Sequence, residues 1–97
     1  VPNVLPEDLV EAKDALSKDE LDKAVQLIKN SENRSSHSPL VLSWLLEASK
    51  SQEITHVDFW ELLGDIALDN EQANTALEAY TKAIESLISQ EAQDEVN

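Results

Sequence analysis

The sequence predicts an all-α fold built from antiparallel helical hairpins, with about five helices. Its 97 residues include one glycine and three prolines, so few positions favour turns and most favour helices. Apolar side chains recur every three or four residues over much of the chain, which is the period of a helix with one buried side. This length suits a single domain with one modest core.

The first two helices are predicted to form a hairpin over residues 7–30. Pro6 suits the first turn of a helix, and acidic residues follow it where they favour a helix N-terminus. This helix should span roughly 7–17. Asp19 is expected to cap the second helix. The next segment, SENRSSH at 31–37, has no apolar period and is predicted to be a loop.

An extra helix is predicted at 38–50, where Ser38 and Pro39 provide a cap followed by proline at the first helical position. Its sequence is apolar on almost every side, so much of it must be buried. Two interpretations are open. The helix can fill a core between two hairpins, or it can present Trp44 and its neighbours to a partner or to a second copy, which makes a homo-oligomer possible.

A second hairpin is predicted at 55–90. Thr55 and Asp58 have the spacing of an acidic capping box, which would begin a helix that ends near Asp69. The last helix is expected to reach about Gln90, with the tail EAQDEVN frayed. One face of this helix collects the apolar residues Ala73, Ala76, Leu77, Tyr80, Ile84, Leu87 and Ile88.

The segment at about 57–90 resembles the tetratricopeptide repeat family. The family pattern W-x2-L-G-x2-Y, then A-x3-F, is matched in identity or class at six positions, while Ala67 stands in place of the first tyrosine and the later proline is missing. The six positions are Trp60, Leu63, Gly64, Ala76, Tyr80 and Ala83. The resemblance implies that Gly64 and Ala76 lie where the two helices cross most closely. It would explain a glycine inside a helix, where glycine costs about 1 kcal/mol relative to alanine.

The hairpin at about 7–30 resembles a degenerate repeat of the same family. A shift of 52 residues aligns its small and apolar positions with those of the second hairpin: Ala12, Ala15, Ala24 and Ile28 against Gly64, Ala67, Ala76 and Tyr80. The positions of the family's tryptophan and leucine are held by Asp8 and Glu11, which departs from the pattern.

The charge is strongly negative and unevenly distributed. The net charge is −13, and residues 51–97 hold eleven acidic side chains against Lys82 alone. Such a field repels nucleic acid phosphates and anionic membranes and attracts basic partners. The sequence therefore predicts no nucleic acid and no membrane as partner. A basic protein or peptide is expected instead, and the alternative is that the charge serves solubility only.

Four acidic residues of the fourth helix, Asp58, Glu61, Asp65 and Asp69, are spaced three and four residues apart and should share one side. In tetratricopeptide proteins the first helix of each repeat lines a ligand groove, so the resemblance implies that these residues face a binding site. Family members that bind chaperone tails carry basic or amide residues there. Glu61 and Asp65 invert that charge, which argues against this ligand class. The alternative is an ordinary solvated helix face.

No pattern for chemistry is present. The chain has no cysteine, so it can form neither a disulfide nor a thiolate metal site, and an intracellular location, cytoplasmic or nuclear, is expected. His37 and His56 lack metal-ligand spacing and are predicted to be solvated surface groups. No nucleophile elbow or phosphate-binding glycine loop occurs. We therefore expect no enzyme activity, no catalytic residue, no cofactor and no metal.

Three functions are consistent with these observations. The first is a scaffold for protein interaction that binds a basic or amphipathic segment of another protein through Asp58, Glu61, Asp65 and Asp69. The second is an acidic histone-binding chaperone, because the sequence from Leu63 to Glu85 also resembles the interrupted repeats of that family. The third is self-association through helix 38–50, with Trp44 in the contact.

Overall fold

The computed structural model describes residues 6–51 and 53–96, which form five helices and no strand. The helices are α1 (Glu7–Ser17), α2 (Leu21–Lys29), α3 (Ser38–Ser51), α4 (Val57–Asp69) and α5 (Ala73–Val96). The predicted all-α fold with about five helices is confirmed. Among the described residues, none of the helices combines the length and the apolar character that a bilayer span requires.

The hairpins α1/α2 and α4/α5 close with the same turn. In each turn the second residue after the helix end adopts a left-handed conformation, Asp19 with φ 60° and Glu71 with φ 59°. The amide that follows donates to a carbonyl of the last helical turn, Glu20 to Ala15 at 2.9 Å and Gln72 to Ala67 at 2.8 Å. This is the Schellman arrangement of a helix C-terminus. The two turns are 52 residues apart, the same offset that aligns the two hairpins in sequence.

Three predicted helix caps are wrong. Ser38 is the first residue of α3 and not its N-cap, since His37 accepts the first helical hydrogen bond, from the N–H of Val41 at 3.0 Å, and Pro39 is therefore the second helical residue. The N-cap residue of α2 is Glu20, because Asp19 belongs to the left-handed turn that ends α1. The N-cap residue of α4 is His56, whose Nδ1 accepts the backbone N–H of Phe59 at 3.1 Å. A neutral imidazole nitrogen is also a hydrogen-bond acceptor, so the cap lies one residue later than the predicted pair of Thr55 and Asp58.

The predicted end of α5 is also wrong, because the helix continues from Gln90 to Val96. Its last turns contain alanine, glutamine and glutamate and no proline or glycine, so nothing in the local sequence stops the helix. The side chain of Gln90 donates to the carbonyl of Thr55 at 3.1 Å and ties this part of α5 to the segment before α4.

The extra helix α3 packs between the hairpins, in contact with α1 and α4, while α4 also contacts α2 and α5. Val41 and Leu45 of α3 are fully buried, and Trp44 is 8% exposed. They join one core with Ile54 of the segment before α4 and with residues of the other helices: Leu9, Ala12, Ala15, Leu16, Ala24, Val25, Ile28, Phe59, Leu62 and Ile66. On α3, the large apolar side chain left exposed is Leu40, at 40%.

Small side chains form the contact between α4 and α5. Ala76, Ala79 and Ala83 of α5 are buried, and so is Gly64 of α4. The closest neighbour of Gly64 differs from the one predicted. A Cβ atom placed there would lie 2.5 to 2.7 Å from ring atoms of Tyr80, so the ring of Tyr80, and not Ala76, occupies the space that the glycine leaves open.

Candidate functional site

The four predicted acidic residues lie together on the exposed side of α4. Asp58, Glu61, Asp65 and Asp69 are all exposed, and we call this set the acidic stripe. Among the described residues, none of the four carboxylates is in an ion pair, since the observed pairs involve other acidic residues. The stripe therefore presents negative charge that the described part of the chain does not neutralise.

Tyr80 of α5 connects the acidic stripe to the neighbouring helix. Its hydroxyl donates to Oδ1 of Asp65 at 2.6 Å. This hydrogen bond, with desolvation and the charges of Asp65, Asp69 and Glu61, raises the pKa of Tyr80 from 10.0 to about 12. All of these effects favour the neutral phenol. Tyr80 thus stays a hydrogen-bond donor at the border between the stripe and α5.

Beside this border, α5 exposes four large apolar side chains. Leu77, Ile84, Leu87 and Ile88 are between 47% and 65% exposed, and we call them the apolar face of α5. The sequence grouped them with Ala73, Ala76 and Tyr80 on one face. The structure divides this set, because Ala76 is buried with the other alanines that pack on α4, while the large residues are exposed. The face is unpartnered among the described residues. On α4, the apolar side chain of Leu68 is 52% exposed between Asp65 and Asp69.

The stripe and the apolar face form one composite surface across α4 and α5. The hydrogen bond between Tyr80 and Asp65 joins them at one point of the packed α4/α5 hairpin. Tyr80 is three residues from Leu77 and four from Ile84, so all three lie on the same side of α5. The surface can bind apolar groups along α5 and cations along α4, while no described pair of side chains here has the arrangement of a nucleophile and its base.

Trp44, the remaining predicted binding residue, is not on this surface. Its indole packs in the core, and the ammonium of Lys13 lies 5.7 Å from the centre of its ring. A cation at this distance over an aromatic face is attracted to it. The exposed edge of the indole borders a shallow cavity with Leu16, Glu47 and Ala48, between α1 and α3. Trp44 is therefore placed as a core residue with one accessible edge.

A surface cavity of about 400 Å³ lies between the end of α3 and α5, with Trp60 of α4 in its wall. The indole N–H of Trp60 donates to the carbonyl of Ile54 at 2.8 Å, so that polar group is satisfied within the chain. Lys82 and Glu85 line the opening and are paired with each other at 3.8 Å. In the described residues, no group of three or more His, Asp or Glu could hold a metal ion.

His56 has a role that the sequence did not predict. Nδ1 caps α4, and Nε2 is hydrogen-bonded to Oδ1 of Asp22 on α2. Since Nδ1 accepts a hydrogen bond, the proton of the neutral ring is on Nε2, and the ring donates to Asp22. This half-buried histidine joins the two hairpins. Its position just before the first apolar residue of a helix was the available signal.

Comparison of the chain with protein-family models, with curated proteins and with solved structures gives no match.

Proposed function

We propose that the protein is a non-enzymatic interaction module that binds a basic or amphipathic segment of a partner protein. One observation carries the proposal: Asp65 of the acidic stripe accepts a hydrogen bond from Tyr80, on the side of α5 that carries the exposed apolar face. A segment that carries both lysine or arginine and large apolar side chains complements both parts of this surface. The resemblance to tetratricopeptide repeats supports the same function. The absence of cysteine supports an intracellular location.

The charge of the surface favours basic partners over acidic ones. Neighbouring carboxylates on successive helical turns repel one another, and a bound cation relieves this repulsion. Lys82, the only lysine or arginine in residues 51–97, is engaged with Glu85 on α5. Complementary charge mainly raises the association rate and the specificity of binding, while the apolar contacts supply affinity.

The test uses two fluorescent peptides of about 20 residues, long enough for roughly 30 Å of helix. The amphipathic peptide has leucine at the apolar heptad positions and lysine at the others. The scrambled peptide has the same composition without an apolar stripe. We expect the protein to bind at least one of them at low salt, as measured by fluorescence anisotropy.

Charge reversals then locate the binding surface. Glu61→Lys and Asp65→Lys should each weaken binding about tenfold, which corresponds to about 1.4 kcal/mol. Glu47→Lys changes the net charge equally, but Glu47 lies beside Trp44 between α1 and α3, so its effect should be small. Binding that all three reversals weaken alike, or no binding of either peptide, would refute the proposed function.

The histone-binding chaperone is a second candidate, favoured by the four exposed carboxylates of the acidic stripe. A histone chaperone should bind a folded histone dimer more tightly than either peptide. Competition between the dimer and the labelled amphipathic peptide separates the two functions, because only a chaperone of this class would bind the dimer and release the peptide at equal concentrations.

A further inference from the structure

Resting on the function proposed above, we propose that the bound partner segment is an amphipathic α-helix that packs lengthwise along α5. Its apolar residues would cover the apolar face of α5, and its lysine or arginine residues would lie on the side toward the acidic stripe of α4. The bound helix would become a third layer beside the α4/α5 hairpin.

The spacing of the apolar face suits a helix. Leu77, Tyr80, Ile84 and Leu87 follow the alternation of three and four residues that forms a heptad seam, with Ile88 beside it. From Leu77 to Ile88 the seam rises about 17 Å, or roughly three turns. A second helix can insert its own apolar side chains between these residues at each turn. The seam is thus long enough to fix the register of a partner helix.

An extended partner fits this surface less well. One common way to bind an extended peptide is to add it as a strand to the edge of a sheet, where main-chain groups are free. The described residues contain no strand, and the main chain of α5 makes its hydrogen bonds within the helix. A partner can therefore contact only the side chains of α5. A helical partner presents its own side chains at the same spacing of three and four residues.

Charge complementarity decides between a foreign helix and a second copy of this chain. The acidic stripe borders one side of the seam, through the hydrogen bond from Tyr80 to Asp65. Two copies packed through α5 would bring their acidic stripes into the same contact, in a chain whose net charge is −13. A basic amphipathic helix meets the same seam with attraction instead of repulsion.

The experiment compares the amphipathic and scrambled peptides and measures peptide helicity by circular dichroism. The amphipathic peptide should bind at least tenfold more tightly and should gain helicity on binding. Ile84→Ser and Leu87→Ser should each weaken its binding about tenfold or more, because each removes a buried apolar contact without changing the charge. The matched control is Leu40→Ser on α3, which removes an exposed apolar side chain, 40% accessible against 47% for Leu87, and should leave binding unchanged.

The outcomes separate this inference from the proposed function. Equal binding of both peptides, weakened by Asp65→Lys but not by Ile84→Ser, would overturn the helical partner and leave a basic-segment module. Binding of neither peptide would overturn both. A dimer of the protein in sedimentation that Ile84→Ser dissociates would overturn the foreign helix in favour of a second copy. The inference would be established if the amphipathic peptide binds more tightly than the scrambled one, gains helicity on binding, and binds more weakly to both serine variants.

Discussion

The ring of Tyr80 lies directly over Gly64, so close that a Cβ atom on Gly64 would be 2.5 Å from the Cε1 atom of the ring. From this position the hydroxyl of Tyr80 reaches Asp65. The chain's only glycine therefore makes room for the residue that joins the acidic stripe to α5. This contact offsets the cost of about 1 kcal/mol for a glycine within a helix.

Gly64→Ala should lower the free energy of unfolding by about 1 kcal/mol, because overpacking typically costs about 1 to 3 kcal/mol and exceeds the gain in helix propensity. In a Tyr80→Ala background the ring is gone, so the same substitution should instead raise stability by about 1 kcal/mol. The natural protein, the two single variants and the double variant form a double-mutant cycle. Urea unfolding of these four proteins measures whether the effect of Gly64→Ala on stability changes sign. An equal effect in both backgrounds would show that Tyr80 does not restrict residue 64.

Tyr80 should titrate with a pKa of about 12. It is the chain's only tyrosine, so the ultraviolet absorbance of tyrosinate reports it alone. Asp65→Asn removes the anionic acceptor and should lower this pKa toward 10.0. Glu47→Gln removes the same charge between α1 and α3 and should leave the titration midpoint where it is.

The same shift predicts how stability depends on pH. Because folding raises the pKa of Tyr80, its hydrogen bond stabilises the fold fully below pH 10.0 and loses this effect as the pH rises through about 12. The stability difference between the natural protein and Tyr80→Phe should therefore shrink over this range. A difference that stays constant would mean that the phenol makes no such bond in solution.

Most helix positions could be predicted because the signals are local. Pro6 and the pair Ser38–Pro39 stand at helix starts, and the apolar period fixes the buried side of α1 and α2. The cap of α4 could not be predicted in this way. Thr55 and His56 can each accept a hydrogen bond from a backbone N–H of the first helical turn. The hydrogen bond between His56 and Asp22 of α2 contributes to selecting His56 as the cap.

The orientation of α5 could not be predicted because the helix has two candidate contact sides. Its large apolar residues favour burial by hydropathy, but its alanines allow a closer approach to Gly64. Which side packs on α4 depends on the shape of that helix, and sequence periodicity does not contain this information. The acidic stripe was predictable from spacing alone, whereas its apolar neighbour was visible only in the structure. The resemblance to tetratricopeptide repeats stays a prediction.

Glu71→Gly should raise the free energy of unfolding by about 0.5 to 1 kcal/mol. Glu71 has φ 59° in the turn between α4 and α5, a conformation that glycine adopts without the steric cost of a Cβ atom. Glu78→Gly removes the same charge inside α5 and should lower stability by about 1 kcal/mol. Thermal or urea unfolding compares them, and destabilisation by both would contradict the left-handed turn.

Trp44→Ala should lower the free energy of unfolding by about 3 to 5 kcal/mol, as expected for an aromatic side chain removed from a core, since Trp44 is only 8% exposed. Sedimentation should show the same oligomeric state before and after the substitution. A variant with natural stability but altered association would instead assign Trp44 to an interface and favour self-association through α3.

Salt should separate the two components of the composite surface. Binding of the amphipathic peptide to the natural protein should weaken steeply as ionic strength rises, because exposed charges are screened over about 10 Å at 0.1 M salt. A double variant, Glu61→Gln with Asp65→Asn, should bind more weakly at low salt and show a flatter dependence. Ile84→Ser should weaken binding by a similar factor at every salt concentration, since the apolar contribution is not screened. Anisotropy titrations across a salt series measure how steeply the affinity of each of the three proteins falls with ionic strength.

An equal salt dependence for the natural protein and the double variant would mean that the acidic stripe does not contact the peptide. The binding site would then be confined to α5.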